Sequence, residues 1–166
     1  MNRIITKIGD VFCMEFDEYK CYLQYVANDM TQLNSSVIRV FKHHYPLDCM
    51  PTLTDILKGD VDFYAHMILY DAISDGVMYK VGRSTDMGNS QNFIFRCYEE
   101  FDVETMRDCF NWYIWKINHE TIDIGPELLD EYKSYPYGPV FPYTRIINKI
   151  KTGYFYDTPL LGKYRE

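Results

Sequence analysis

Between Asp10 and Ala27 the chain runs through two strand-like segments parted only by Asp17-Glu18, and this closely spaced alternation limits the fold more than any other feature. The first segment, Asp10 to Phe16, opens at Gly9-Asp10. In the second, Tyr19 to Ala27, Cys21, Leu23, Tyr25 and Ala27 fall on one face and Tyr22, Gln24 and Val26 on the other, as period-two geometry requires. Both faces of this second segment are mostly apolar, and the pair reads as a hairpin. Sixteen Tyr and ten Phe reinforce this reading, because flat rings pack well on a pleated, half-buried surface.

Further strands follow the same logic. Asn28-Asp29 and Asn34-Ser35-Ser36 mark turns around Val37 to Phe41. Thr52 is placed to cap a short helix, Leu53 to Lys58, that Gly59 stops. Val61 to Ile73 reads as a long strand-prone run, with Ser74-Asp75-Gly76 as the turn into Val77 to Val81 and hence a second hairpin. After a polar loop, Thr85 to Asn92, another strand is expected at Phe93 to Tyr98, with Glu99 to Asp102 leaving it, and the aromatic run Phe110 to Ile117 reads as a further strand with a helix as the alternative. Gly125-Pro126 opens a short helix over Glu127 to Lys133. Three prolines within Tyr135 to Pro142 predict an extended surface loop, and Ile146, Ile147 and Ile150 predict a helix over Tyr143 to Lys151 closed by Gly153.

The expected fold is mainly β, a β-rich α+β class: a strongly twisted antiparallel sheet or partial barrel with one or two short helices packed on it. At 166 residues the chain is read as a single domain, 1–166, with core hairpins over about 7–118 and a C-terminal extension over 119–166.

No motif for catalysis stands out. The cysteines, Cys13, Cys21, Cys49, Cys97 and Cys109, are odd in number and lack any Cys-x-x-Cys pair, which points to reduced thiols and a cytoplasmic location. No apolar run has the length of a membrane span, and the N-terminus lacks a signal-like core. His43, His44, His66 and His119 show no metal-ligand spacing, and His66, alternating with Tyr64 and Ile68, reads as a satisfied core or cleft histidine. Ser35, Ser36, Ser74 and Ser84 lack a nucleophile-elbow context, Glu99-Glu100 and Asp130-Glu131 read as solvated acids, and no glycine-rich phosphate loop occurs. Catalytic, cofactor-binding and metal-binding residues are therefore assigned to none, and no cofactor is expected.

Charge directs attention to partners. The net charge of −7 disfavours nucleic acid and favours a basic protein. Residues 1–95 hold 8 basic against 12 acidic groups, 96–133 hold 4 against 10, and 134–166 hold 5 against 2. The acidic excess in the second block nominates Glu99, Glu100, Asp102, Glu104, Asp130 and Glu131 as a partner-binding surface. Trp115, on the opposite strand face from Trp112, is nominated as their aromatic anchor.

Two stretches carry a family resemblance. Lys7-Ile8-Gly9-Asp10-Val11-Phe12, followed by Tyr22-Leu23-Gln24-Tyr25-Val26, resembles the opening of the immunity protein 26 family of bacterial polymorphic toxin systems. Phe63-Tyr64-Ala65-His66, then Tyr70 to Gly76 and Tyr79-Lys80-Val81-Gly82, resembles that family's central hairpin, although the family usually carries Trp where this chain has Met78 or Tyr79. The likeness spans residues 7–100. It implies a mainly β protein that binds and neutralises a cognate toxin domain, with no catalytic residues of its own. The rival expectations are a hydrolase or transferase using a cleft histidine or carboxylate, and a small ligand- or peptide-binding module.

Overall fold

The computed structural model describes residues 5–89, 93–102 and 107–156, with backbone alone at 100–102 and 107–109. Strand outweighs helix, and the strands form two sheets, neither closed into a barrel. The first sheet has the order β10-β5-β3-β2-β1-β6, with a short β4 beside β2. Its strands are β1 (Asp10–Glu15), β2 (Tyr19–Asp29), β3 (Ser35–Phe41), β4 (Tyr45–Pro46), β5 (Val61–Met67), β6 (Met78–Arg83) and β10 (Val140–Phe141). All neighbours are antiparallel except β10 and β5. The second sheet is an antiparallel meander of β7 (Ile94–Asp102), β8 (Arg107–Lys116) and β9 (Ile122–Gly125).

The N-terminal hairpin forms as read, with Phe12 opposite Leu23 and Met14 opposite Cys21. Period-two alternation then divides the first sheet into two faces. Phe12, Met14, Leu23, Ile38, Val40, Ala65 and Met67 bury one face beneath two helices, α2 (Leu69–Ser74) and α3 (Tyr143–Thr152). On the other face, Val26 and Val37 meet Phe95, Cys97 and Trp115 of the second sheet. Farther along it, Val11, Cys13, Tyr22 and Phe41 meet Ile56 of α1 (Leu53–Leu57). Thr52 caps α1 through reciprocal bonds with Asp55, and α3 ends at Gly153, whose left-handed backbone (φ 85°) accommodates the turn.

The second expected hairpin does not form. The run from Val61 stops as a strand at Met67, and Leu69 to Ser74 turn into α2, burying Leu69 and Ala72 at helical spacing. Strand β6 pairs with β1, three strands away from β5, so the connection has to cross the sheet and a tight turn could not serve. The strand period holds over Val61–Met67 and gives way to helical spacing from Leu69.

Two smaller expectations also change. Glu99 to Asp102 continue β7 instead of leaving it, because their backbone pairs onward with β8 as far as Asp102 opposite Arg107. The helix expected over Glu127 to Lys133 shrinks to one 3-10 turn at Asp130–Tyr132.

The proline-rich segment departs furthest from its expected surface course. Arg96 N donates to Pro136 O at 3.0 Å and Gly138 N donates to Arg96 O at 2.9 Å, so the chain around Tyr137 joins the free edge of β7 in parallel. Two residues later β10 joins the free edge of β5, with Val140 opposite His66 and Phe141 opposite Met67. The segment is a strap between the two sheets. Pro136 is used there only as an acceptor, so its missing N–H costs no ladder bond. Gly138 is needed for the close approach: a Cβ there would stand 2.3 Å from Trp115 Cη2 and 2.9 Å from Phe95 Cβ.

Candidate functional site

Three of the surface acids nominated from the sequence are described with their side chains. Glu99 is exposed on β7 opposite Asn111, and Asp130 and Glu131 are exposed on the 3-10 turn. Asp130 accepts a hydrogen bond from Lys133 Nζ at 2.6 Å, and that bond, with the charge behind it, lowers its carboxyl below the ordinary value. Glu100 and Asp102 lie on β7 by their backbone, with side chains outside the description, and Glu104 lies outside the described residues.

Trp115 is no surface anchor. It is 1% exposed and sits between the two sheets, its ring 5.7 Å from that of Phe95. Trp112 is buried as well, against Tyr98 and Phe110 on the opposite side of the second sheet, so both faces of β8 are covered and alternation leaves neither indole outside.

Trp115 belongs to a polar junction that the sequence did not reveal as a unit. Asp29, the last residue of β2, is fully buried. Its Oδ2 accepts from Trp115 Nε1 at 2.8 Å and meets His66 Nε2 at 2.9 Å. Its Oδ1 accepts from the backbone N–H of Asn118 at 3.0 Å and of Thr31 at 3.1 Å. Burial alone would push this carboxyl up, yet the bonds from His66, Asn118 and Trp115 prevail and hold it down at about 2. Asn118, with its own backbone in the left-handed region (φ 63°), accepts from Met30 N and donates to Asn28 O, and Thr31 Oγ1 donates to His119 O. The junction thus rivets the end of β2 to the turn between β8 and β9.

An Asp-His pair invites comparison with hydrolytic triads, where a third side chain completes the relay. Here His66 is fully buried and its Nδ1 finds no hydrogen-bond partner among the described residues. Among the described residues no nucleophile is therefore engaged at the second nitrogen, and the first is buried against Asp29. The geometry locks two sheets together. Among the described residues, no group of three His, Cys, Asp or Glu side chains is arranged to hold a metal ion, and no helix is long and apolar enough to cross a membrane.

The exposed chemistry lies beyond the junction, on β9 and the segment after it. From Ile117 to Tyr132 the sequence holds Glu120, Asp123, Glu127, Asp130 and Glu131 with no Lys or Arg, and all five acids are exposed. Two aliphatic side chains stand among them, Ile122 at 60% and Leu129 at 49% exposure. Strand β9 is the outer strand of its sheet, and Asp123 closes a local turn by accepting from Gly125 N. The register places Glu99 one row from Gly125 across β8, on the order of 10 Å away at ordinary strand spacing. Glu120, Asp123 and Glu127 were visible in the sequence as charge; their grouping with Ile122 and Leu129 required the short edge strand to be seen.

Comparison with family models, curated proteins and solved structures finds no match to this chain.

Proposed function

We propose that the protein is an immunity-type inhibitor that binds and neutralises a basic toxin domain, using β9 and the segment that follows as its capture surface. The observation that carries this reading is the run of five exposed acids without a basic residue, interrupted by exposed Ile122 and Leu129. A toxin acting on nucleic acid must offer Lys and Arg to phosphates, and an acidic surface imitates that substrate while steering the encounter. Aliphatic side chains inside a charged rim supply the contact that excludes water once the partners meet. The resemblance of residues 7–12 and 22–26 to the opening of the immunity family, on the hairpin that does form, supports the same role. Glu99, exposed on β7 two strands from β9, adds a further acid to this sheet, while buried Trp115 holds the sheet behind it.

The direct experiment is co-expression with the product of the adjacent gene, followed by purification through a tag on this chain. A stoichiometric complex with a basic domain, and loss of that domain's toxicity when this chain is present, is the expected result. Undiminished toxicity with no complex would rule the reading out.

A further inference from the structure

A second site of opposite character lies where the strap, β5, the start of β7 and α3 meet. It is a cleft of about 540 Å³, within the roughly 300–1,000 Å³ typical of small-molecule sites. Its walls are aromatic. The rings of Tyr64 and Phe93 lie 3.9 Å apart on one side, and Phe63 and Phe155 meet edge to face at 5.7 Å on another. The charges of the lining are Lys133, Lys149 and Arg96 against the single carboxylate of Asp62. In a chain of net charge −7 this is a local reversal.

Lys149 and Arg96 are held at aromatic rings, Arg96 5.8 Å from the Tyr137 centroid, whereas Lys133 Nζ is paired with Asp130 at 2.6 Å on the rim. Lys149 Nζ stands 4.6 Å from the Phe155 ring centroid and 5.5 Å from that of Phe63, and donates to Gly153 O at 3.1 Å. Arg96, itself buried, donates from Nε to Tyr135 O at 3.0 Å, which fixes the strap as the cleft's far wall. Flat apolar walls suit a planar ring, and ammonium groups at their rim suit a carboxylate or phosphate carried by that ring. A basic protein partner would be repelled here, so the acidic surface on β9 and this cleft select opposite ligands.

We infer that this cleft binds a small aromatic anion, with its ring against Tyr64 and Phe93 and its negative group toward Lys149 and Lys133. The inference is independent of the proposed toxin partner and is tested on the full chain alone, by calorimetric titration and by amide chemical shifts. The probes are indole-3-acetate, its neutral analogue indole-3-acetamide, adenosine 5′-monophosphate and inorganic phosphate. At least one of the two aromatic anions should saturate with a dissociation constant of about 1 mM or tighter, shifting amides at Tyr64 and Phe93. The neutral amide and inorganic phosphate should bind about tenfold more weakly or worse. Whichever aromatic anion binds better tells a carboxylate ligand from a phosphate ester. Lys149→Met should weaken binding about tenfold and Lys149→Arg should restore most of it. Should Lys149→Met fail to fold, Lys133→Ala, at an exposed position, should weaken the same anion and leave the amide unchanged. Absence of saturation by both aromatic anions, equal binding of acetate and amide, or shifts confined to residues outside the cleft would each overturn the inference.

Discussion

Asp29 concentrates four hydrogen bonds on one buried carboxylate, two from side chains of different sheets and two from the backbone of two turns. Removing the charge strands donors that water cannot reach. Asp29→Asn should therefore cost about 3–5 kcal/mol in urea unfolding, whereas Trp115→Phe, which deletes one donor and keeps the packing, should cost about 1–3 kcal/mol. A loss below about 0.5 kcal/mol for Asp29→Asn would show that the junction does not hold the sheets together. The same carboxyl sets a pH dependence. Its folded value of about 2 lies below the ordinary 3.8, so its contribution is complete above the ordinary value and is lost as the pH falls through 2. The stability gap between the native protein and Asp29→Asn should narrow by on the order of 2 kcal/mol between pH 6 and pH 2. Thiol chemistry is a third residue-scale outcome. Burial pushes the Cys21 thiol up to about 12 and raises Cys13 and Cys97 as well, while Cys49 is only half-buried. Alkylation of the native protein, mapped by peptide mass, should label Cys49 well ahead of Cys13, Cys21 and Cys97. Equal labelling of all four would contradict the packing around β1, β2 and β7.

At the scale of elements the strap decides how the sheets are joined. Gly138→Ala places a methyl group against the Trp115 and Phe95 side chains, and should destabilise the fold by about 1–3 kcal/mol. Hydrogen exchange should locate the damage, with the amides of Arg96 and Gly138 losing protection before those of β2 and β3. Uniform loss across the protein would mean that the strap has no local independence. The N-terminal hairpin, β3, α1 and α3 were legible because each carries its own signal: alternation, a cap, or isoleucines at helical spacing with Gly153 after them. Segment 61–81 misled because Leu69, Ala72 and Ile73 belong to a short amphipathic helix whose sequence also satisfies a strand pattern, and only the topology forces the crossover. The strap was hidden for a related reason. Prolines announce an extended chain but not whether that chain lies on the surface or along a free sheet edge. The Asp29 junction joins residues 37 and 86 positions apart, separations over which a single sequence carries no local pattern.

Across the whole molecule the charge is divided. The cleft beside α3 gathers cations, whereas the sixteen residues from Ile117 to Tyr132, which contain β9, hold five acids and no Lys or Arg. Such a division is what a protein needs if one surface must attract a basic partner without drawing it across the rest. An acidic face kept only for solubility would tolerate any redistribution of its charge, and a capture surface would not. With the cognate domain in hand, reversing Glu120, Asp123 and Glu127 together to Lys should slow association by about ten- to a hundredfold at low ionic strength. The difference should shrink toward physiological salt, because a Debye length near 8 Å screens long-range steering. Glu99→Lys alone, on β7 at the other side of the three-stranded sheet, should have a smaller effect of the same sign. Truncating Ile122 and Leu129 to Ala should act differently, speeding dissociation with little change in the association rate or its salt dependence, since these side chains contribute contact and not long-range field. The two variant sets therefore separate steering from contact by stopped-flow kinetics on one complex. Equal association rates for the native and triply reversed proteins at low salt would move the interface away from β9.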